Sequence, residues 1–265
     1  MLKTKLYTLH KIPENIHGIN KLCKNYLQSS SKLSGIKLRN IKKIYENKKY
    51  TKKITNLNHN GALLPKSENQ NEFFKIFEKF KKILKKKIPK NCLIHFPIII
   101  RLNNTLMNKK KKYSATHPHV DSWAGQPQFS KIISYNVISS KKSPTLEILD
   151  LKKNRKISLS KKKSYKSTIK LSEVLSVYKS QKNDLCILEP GTIHRTSSGN
   201  KFRITLECRF VEKSKIKDSD PDNLKKYYFS YKKFFKINHR NTKIINPFGQ
   251  IALSRFGVDF KNNPK

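Results

Sequence analysis

His119, Asp121 and His194 are the residues of this 265-residue chain whose types and spacing carry chemistry. Side chains on an extended strand alternate faces, so His119-Val120-Asp121 puts an imidazole and a carboxylate on one side. His194 follows Asp121 by 73 residues and brings a second imidazole from a distant part of the chain. Two neutral imidazoles and one carboxylate cover one face of a metal and leave the other open, which suits non-haem Fe(II) oxygen chemistry. Arg203 stands nine residues past His194, with Thr205 on the same face of the same strand. A guanidinium grips a carboxylate bidentately, and a hydroxyl adds a further donor.

Each of these residues also has a plainer reading. His119 and Asp121 make a surface hydrogen bond in many proteins, and Arg203 has Glu207 and Asp184 as candidate ion-pair partners. Arg195 points away from His194 if the strand is regular, so the anchoring role falls to Arg203 instead. Tyr135 and Asn136 lie on a neighbouring strand and read either as contacts for a cosubstrate or as core and rim. Trp123 walls a pocket or plugs a barrel mouth. His117 shares a face with His119 and Asp121, although Pro118 cannot donate a ladder hydrogen bond and sets His117 before the regular strand.

The elements that must position these groups are short strands. Cys92 to Leu102 is an apolar run interrupted by Pro97, and residues 115–122 form the strand of the site. Lys131–Ser140 and Thr145–Leu151 alternate, Asp184–Leu188 is a buried strand, and Phe202–Phe210 sends Phe202, Ile204, Leu206 and Cys208 to one face and Arg203, Thr205, Glu207 and Arg209 to the other. Leu171, Val174, Leu175 and Tyr178 read as a short helix, and residues 152–167 as an exposed basic loop. Ahead of the strands, Ile16 to Leu27 has helical spacing, closed by Ser29-Ser30-Ser31. Ser67 and Gln70 have capping-box spacing and open a helix with Phe73, Ile76, Phe77, Phe80, Ile83, Leu84 and Ile88 on one stripe. Lys79, Lys81, Lys82, Lys85 and Lys86 take its other face, and Pro89 stops it. Such a helix covers a sheet or lies on a membrane surface; the sheet is favoured. Asn223–Ile237 reads as a helix, and the tail beyond it is apolar enough to dock. The fold class expected is mainly β with flanking helices, a closed barrel or sandwich. Its parts are a helical elaboration over 1–90, a β core over 91–212 and a helical tail over 213–265.

Composition narrows the class further. A formal charge of +42 ordinarily points to a polyanion partner. Yet only 8 of the 59 basic residues are Arg, the residue that base-reading interfaces favour. Abundant Lys, Asn and Ile match A/T-rich codons, so nucleic acid is not favoured as a partner. Cys23, Cys92, Cys186 and Cys208 form no CxxC pair and are expected as free thiols. No secretory leader and no membrane span is legible, so a cytoplasmic location is expected.

In order, His119-x-Asp121, His194 and Arg203-x-Thr205 resemble the Fe(II)/2-oxoglutarate-dependent oxygenase superfamily, and Asp184 to His194 resembles its distal strand and turn. The likeness covers residues 115 to 210. It implies a double-stranded β-helix (a jelly-roll, cupin-like barrel) and a catalytic triad of His119, Asp121 and His194 as ligands to Fe(II). It also implies O2 and 2-oxoglutarate as cosubstrates, with Arg203 and Thr205, helped by Tyr135 and Asn136, seating the oxoglutarate. His-Pro-His-Val-Asp-Ser-Trp resembles the phytanoyl-CoA-hydroxylase-like branch, including oxygenases of carbohydrate-biosynthesis clusters. Hydroxylation of a small metabolite, carbohydrate- or nucleotide-sugar-linked, is the function this implies. Two alternatives stay open: a nucleic-acid oxidative demethylase of the same superfamily, and a cupin-type isomerase or sugar-binding protein using His117, His119 and His194. Asp121 argues against the halogenating relatives, which lack this carboxylate.

Overall fold

A computed structural model describes residues 6–14, 16–37, 39–58, 61–103, 116–121, 126–127, 129–151, 174–216, 227–245 and 257–260. Eleven strands line up in two antiparallel sheets. In chain order they are β1 (Tyr7–Lys11), β2 (Ala62–Leu63), β3 (Cys92–His95), β4 (Ile99–Asn103), β5 (Lys131–Ile138), β6 (Leu146–Leu151), β7 (Val174–Lys179), β8 (Asp184–Leu188), β9 (His194–Thr196), β10 (Arg203–Glu212) and β11 (Tyr228–Ser230). The major sheet runs β1-β8-β5-β10-β3-β11, with β4 also paired to β10 and β2 to β4. The minor sheet runs β7-β6-β9, and a bridge between His119 and His194 extends it by one residue. From β5 onward the chain winds between the sheets: β5 major, β6 and β7 minor, β8 major, β9 minor, β10 major. Ile132 of β5, Leu146 and Ile148 of β6, and Cys186 and Leu188 of β8 pack in one cluster, so the two sheets face each other. This is the mainly β, jelly-roll architecture expected of the sequence.

Helices α1 (Ile19–Leu33), α2 (Ile41–Glu46), α3 (Lys48–Thr51) and α4 (Gln70–Leu84) precede the core strands, and α5 (Tyr231–Lys236) follows β11. The stripe of α4 packs on the outer face of the major sheet, where Phe73, Phe77 and Phe80 join Ile133, Tyr135, Val137, Ile204, Leu206 and Cys208 in the main core. Burying one such phenylalanine contributes about 2–3 kcal/mol. The major sheet recruits β1, β2 and β11 from outside residues 91–212. Strands β12 (Thr242–Ile245) and β13 (Gly257–Phe260) pair with each other. All four cysteines are free and buried, and no helix among the described residues is long and apolar enough to cross a membrane.

Several local expectations are corrected. Val174–Lys179 is a strand rather than part of a helix, because its backbone pairs along β6, and Leu175 and Val177 stay exposed. The triple serine does not end α1, because Ser31 lies inside it, buried, with its hydroxyl donated to Leu27 O at 2.9 Å. Ser67 and Gln70 make no capping box. Asn69 accepts Lys66 N at 2.8 Å instead, while the Gln70 amide clamps the Ile244 backbone. Lys81 is buried, donating to Ile237 O at 2.6 Å behind the end of α5. The Cys92–Leu102 run divides at a cis Phe96-Pro97 bond. Within the helix expected over Asn223–Ile237, the described residues include β11 at Tyr228–Ser230, which interrupts it, and a helix at Tyr231–Lys236, while 223–226 lie outside the described residues. Trp123, Leu171 and the 152–167 loop lie outside the described residues.

Candidate metal centre

His119 and His194 meet because their backbones pair. His119 N donates to His194 O and His194 N to His119 O, both at 3.0 Å. Residues opposed in this way carry their side chains on one side, and the rings lie 4.5 Å apart centre to centre. Pro118 and a turn limit the pairing to this bridge, so the regular strand expected over 115–122 is absent from the described part. The approach to His194 is a tight turn in which Thr192 N donates to Glu189 O at 3.1 Å. Gly191 has φ 80° there, a left-handed conformation that glycine adopts without strain.

Asp121 completes a cluster whose ligand atoms all lie within 4.8 Å of one another, every residue buried. Its Oδ1 stands 3.4 Å from His194 Nε2 and 3.9 Å from His119 Nε2. His119 Nδ1 lies 2.7 Å from His117 O, and His194 Nδ1 lies 3.1 Å from Thr192 O. A carbonyl only accepts, so each Nδ1 carries the proton and each Nε2 turns a lone pair toward Asp121. Burial, with His194 alongside, pushes the His119 imidazole down to about 3, which keeps it neutral and able to ligate. Burial opposes charge on Asp121, but the Arg209 guanidinium and the two imidazoles hold its carboxyl well below the usual carboxylate range. Arg209 Nε and Nη2 both bind Oδ2, at 2.7 and 2.5 Å, which leaves Oδ1 directed at the histidines. Two nitrogens and one oxygen at this spacing fit a divalent transition metal. His117 is exposed and outside this cluster, and contributes its carbonyl to orient His119.

The strand that carries Arg209 also carries Glu207, Thr205 and Arg203 on the same inner face. Glu207 is taken by Arg101 of β4, which donates Nε and Nη2 at 2.8 Å each. Thr205 Oγ1 donates to Glu207 Oε1 at 3.3 Å. Arg203 therefore has neither of the partners the sequence offered. Glu207 pairs with Arg101, and Asp184 is bound by Lys11, Tyr178 and the Gln181 amide. Asn136 lies opposite Thr205 on β5, 1% exposed, with neither amide atom bonded among the described residues. Tyr135 is on the other side of the sheet. Alternation turns it onto the helices, where its ring stacks on Phe80 with centroids 6.3 Å apart, so it is not a cosubstrate contact. Arg195 faces outward as expected, its Nε bound to Glu147 at 2.7 Å.

Arg101 and Arg209 were not singled out from the sequence. The signal was present in the alternation of Arg203 through Arg209 and of Ile99 through Asn103. It was present too in the scarcity of arginine: the chain has eight, and among the described residues three of them face this interior.

The similarities of this chain to known proteins lie in structure alone. No protein-family model matches it, and no curated protein does. Among solved structures it is similar to the non-heme monooxygenase ThoJ in a nickel complex, at 9% identity and TM-score 0.38, covering 79% of this chain and 74% of that one. It is also similar to the non-heme alpha ketoglutarate dependent carbocyclase SnoK from nogalamycin biosynthesis, at 8% identity and TM-score 0.38 over 82% and 88%. A third is the epimerase SnoN in complex with Fe3+, alpha ketoglutarate and nogalamycin RO, at 14% identity and TM-score 0.33 over 63% and 65%. These likenesses are distant.

Proposed function

We propose that this chain is an Fe(II)- and 2-oxoglutarate-dependent oxygenase acting on a small metabolite. The observation that carries the reading is the conjunction, on one buried face, of the His119–Asp121–His194 cluster with an arginine that lacks a carboxylate partner among the described residues. His119 Nε2, His194 Nε2 and Asp121 Oδ1 are the atoms that would hold the iron. Bound there, iron with 2-oxoglutarate supplies the oxidising power from O2, while the cosubstrate is decarboxylated to succinate. The protein's residues do the rest. The His117 and Thr192 carbonyls fix the imidazole tautomers, and Arg209 fixes the carboxylate rotamer and its charge. Arg203, with Asn136 beside it, binds the far carboxylate of the cosubstrate, and Thr205 keeps the Glu207 carboxylate turned to Arg101. The two facing sheets exclude bulk water from the reacting centre.

The substrate we favour is carbohydrate- or nucleotide-sugar-linked, on the resemblance of the His117-to-Trp123 stretch to carbohydrate-cluster oxygenases. A nucleic-acid substrate remains the second reading because of the +42 charge. It requires affinity for single-stranded DNA or RNA that survives moderate ionic strength.

The reaction class is tested by anaerobic titration of the protein with Fe(II) and 2-oxoglutarate, following the visible metal-to-ligand charge-transfer band. Wild type is expected to develop the band, Asp121→Ala to lose it, and Arg203→Ala to need far more oxoglutarate. Stoichiometric iron without a band rejects the oxygenase; a cupin-type site at His117, His119 and His194 is not favoured in its place, because His117 is exposed and outside the cluster.

A further inference from the structure

Three guanidinium groups line the space between the sheets, and their partners differ in kind. Arg101 is closed by Glu207 and Arg209 by Asp121. Arg203, 2% exposed, has an amide. It lies opposite Asn103 across β10 and β4, and Asn103 satisfies it only with the amide oxygen turned toward the guanidinium, accepting Nη2 at 2.6 Å and Nε at 3.3 Å. Arg203 Nη1 is buried with no partner among the described residues, and both amide atoms of Asn136 on the neighbouring strand β5 are in the same condition. A buried polar atom left unbonded costs free energy, and three at one place on one sheet face mark a site that something polar completes. Asn103 itself is 0% exposed. Gly61 packs over the strand there: a Cβ at that position would lie 2.2 Å from Leu102 O and 3.4 Å from the Asn103 amide.

We infer that Asn103 is a positioning residue that holds the Arg203 guanidinium by two hydrogen bonds without neutralising it, so that Nη1 and the Asn136 amide take one anionic group. The inference rests on the oxygenase reading for the identity of the ligand, the far carboxylate of 2-oxoglutarate, but not for the existence of the anion site. An aspartate at 103 would keep the two hydrogen bonds and cancel the charge. The choice of asparagine therefore sets the charge of the ligand rather than the shape of the strand. Burial, with Arg101 nearby, pushes Arg203 down to about 10, and it stays charged at neutral pH. A carboxylate at Nη1 would relieve that burial.

The test compares wild type with Asn103→Asp. In the metal-free proteins, melting temperature is read with and without glutarate, a dicarboxylate that cannot chelate through a keto group. Wild type is expected to gain stability from glutarate. Asn103→Asp is expected to melt higher than wild type without ligand and to be indifferent to glutarate. In the iron-loaded proteins under anaerobic conditions, oxoglutarate affinity should fall about 10- to 100-fold in Asn103→Asp, the loss of a charge-assisted contact, with Fe(II) affinity unchanged. Equal affinity and equal glutarate response in the two proteins overturn the inference and leave the oxygenase reading standing. Absence of the charge-transfer band in wild type overturns that reading, and the glutarate shift still decides the anion site. Wild type alone gives a second decision should the variant fail to fold. The C5 amide of oxoglutarate, uncharged and of the same shape, is expected to bind at least about 100-fold more weakly than the acid, and equal binding overturns the inference.

Discussion

Strand β10 has two faces that are built in opposite ways. Ile204, Leu206, Cys208 and Phe210 meet the phenylalanines of α4 and neighbours from β4 and β5, and nothing on that side requires a specific partner. Arg203, Thr205, Glu207 and Arg209 meet Arg101, Asn103, Asn136 and Asp121, and there almost every contact is directional. The apolar face tolerates exchange of one hydrophobe for another of similar volume, because dispersion and dehydration do not depend on register. The polar face does not, since a buried charge whose partner is removed stays buried and uncompensated. The first face supplies stability, and the second spends part of it to hold geometry.

Substitutions on the two faces should separate accordingly. Phe77→Ala removes a ring in contact with Phe73, Phe96 and Phe234. It should cost about 3–5 kcal/mol in denaturant unfolding, with iron stoichiometry of the folded fraction unchanged; altered stoichiometry would show that the faces are not independent. Glu207→Ala leaves Arg101 without its carboxylate and should cost roughly 3 kcal/mol. It is also expected to tighten oxoglutarate binding, because loss of the Glu207 charge leaves the surroundings of Arg203 more positive. Arg209→Gln should leave the fold in place and lower Fe(II) affinity about 10- to 100-fold, as loss of a group that orients a metal ligand does. Unchanged iron affinity in that variant would mean that Asp121 needs no orienting partner.

The smallest effect expected is one of pH. Burial, with Arg209 nearby, pushes buried His95 down to about 3 from its ordinary 6.5. The unfolded chain then binds a proton that the folded chain refuses, so stability is full above pH 6.5 and is lost as pH falls toward 3. His95→Gln should flatten part of that slope in melts between pH 7 and 5, and an identical slope in the variant would assign it elsewhere.

Much of this was legible in the sequence, for a physical reason. Alternation along β10 follows from strand geometry alone, and it placed Arg203, Thr205, Glu207 and Arg209 together before any pairing was known. The α4 stripe likewise needed only helical periodicity. What alternation does not carry is register. Which acidic residue meets which arginine depends on β4 lying beside β10 with Arg101 opposite Thr205, and nothing local sets that. Tyr135 and Asn136 are adjacent and both polar-tipped, so the sequence offered them as a pair; the pleat separates them, one to the helices and one to the interior. The sequence of Val174–Lys179 reads as helix because a six-residue stretch with apolar positions at 174, 175 and 178 satisfies both periods, and only pairing with β6 decides between them.

The place of β10 in the major sheet has a consequence for the order of assembly. It is flanked by β5 and by β3 and β4, elements made long before it, and it brings Arg209 to an Asp121 already waiting on a distant loop. Contacts so far apart in sequence form late and slowly. A chain emerging from its N-terminus therefore presents His119 and Asp121 apart from the rest of the cluster until His194 and then β10 arrive. On the proposed function, iron capture would be timed to the arrival of β10, and a chain that stalls before it would bind metal poorly rather than wrongly.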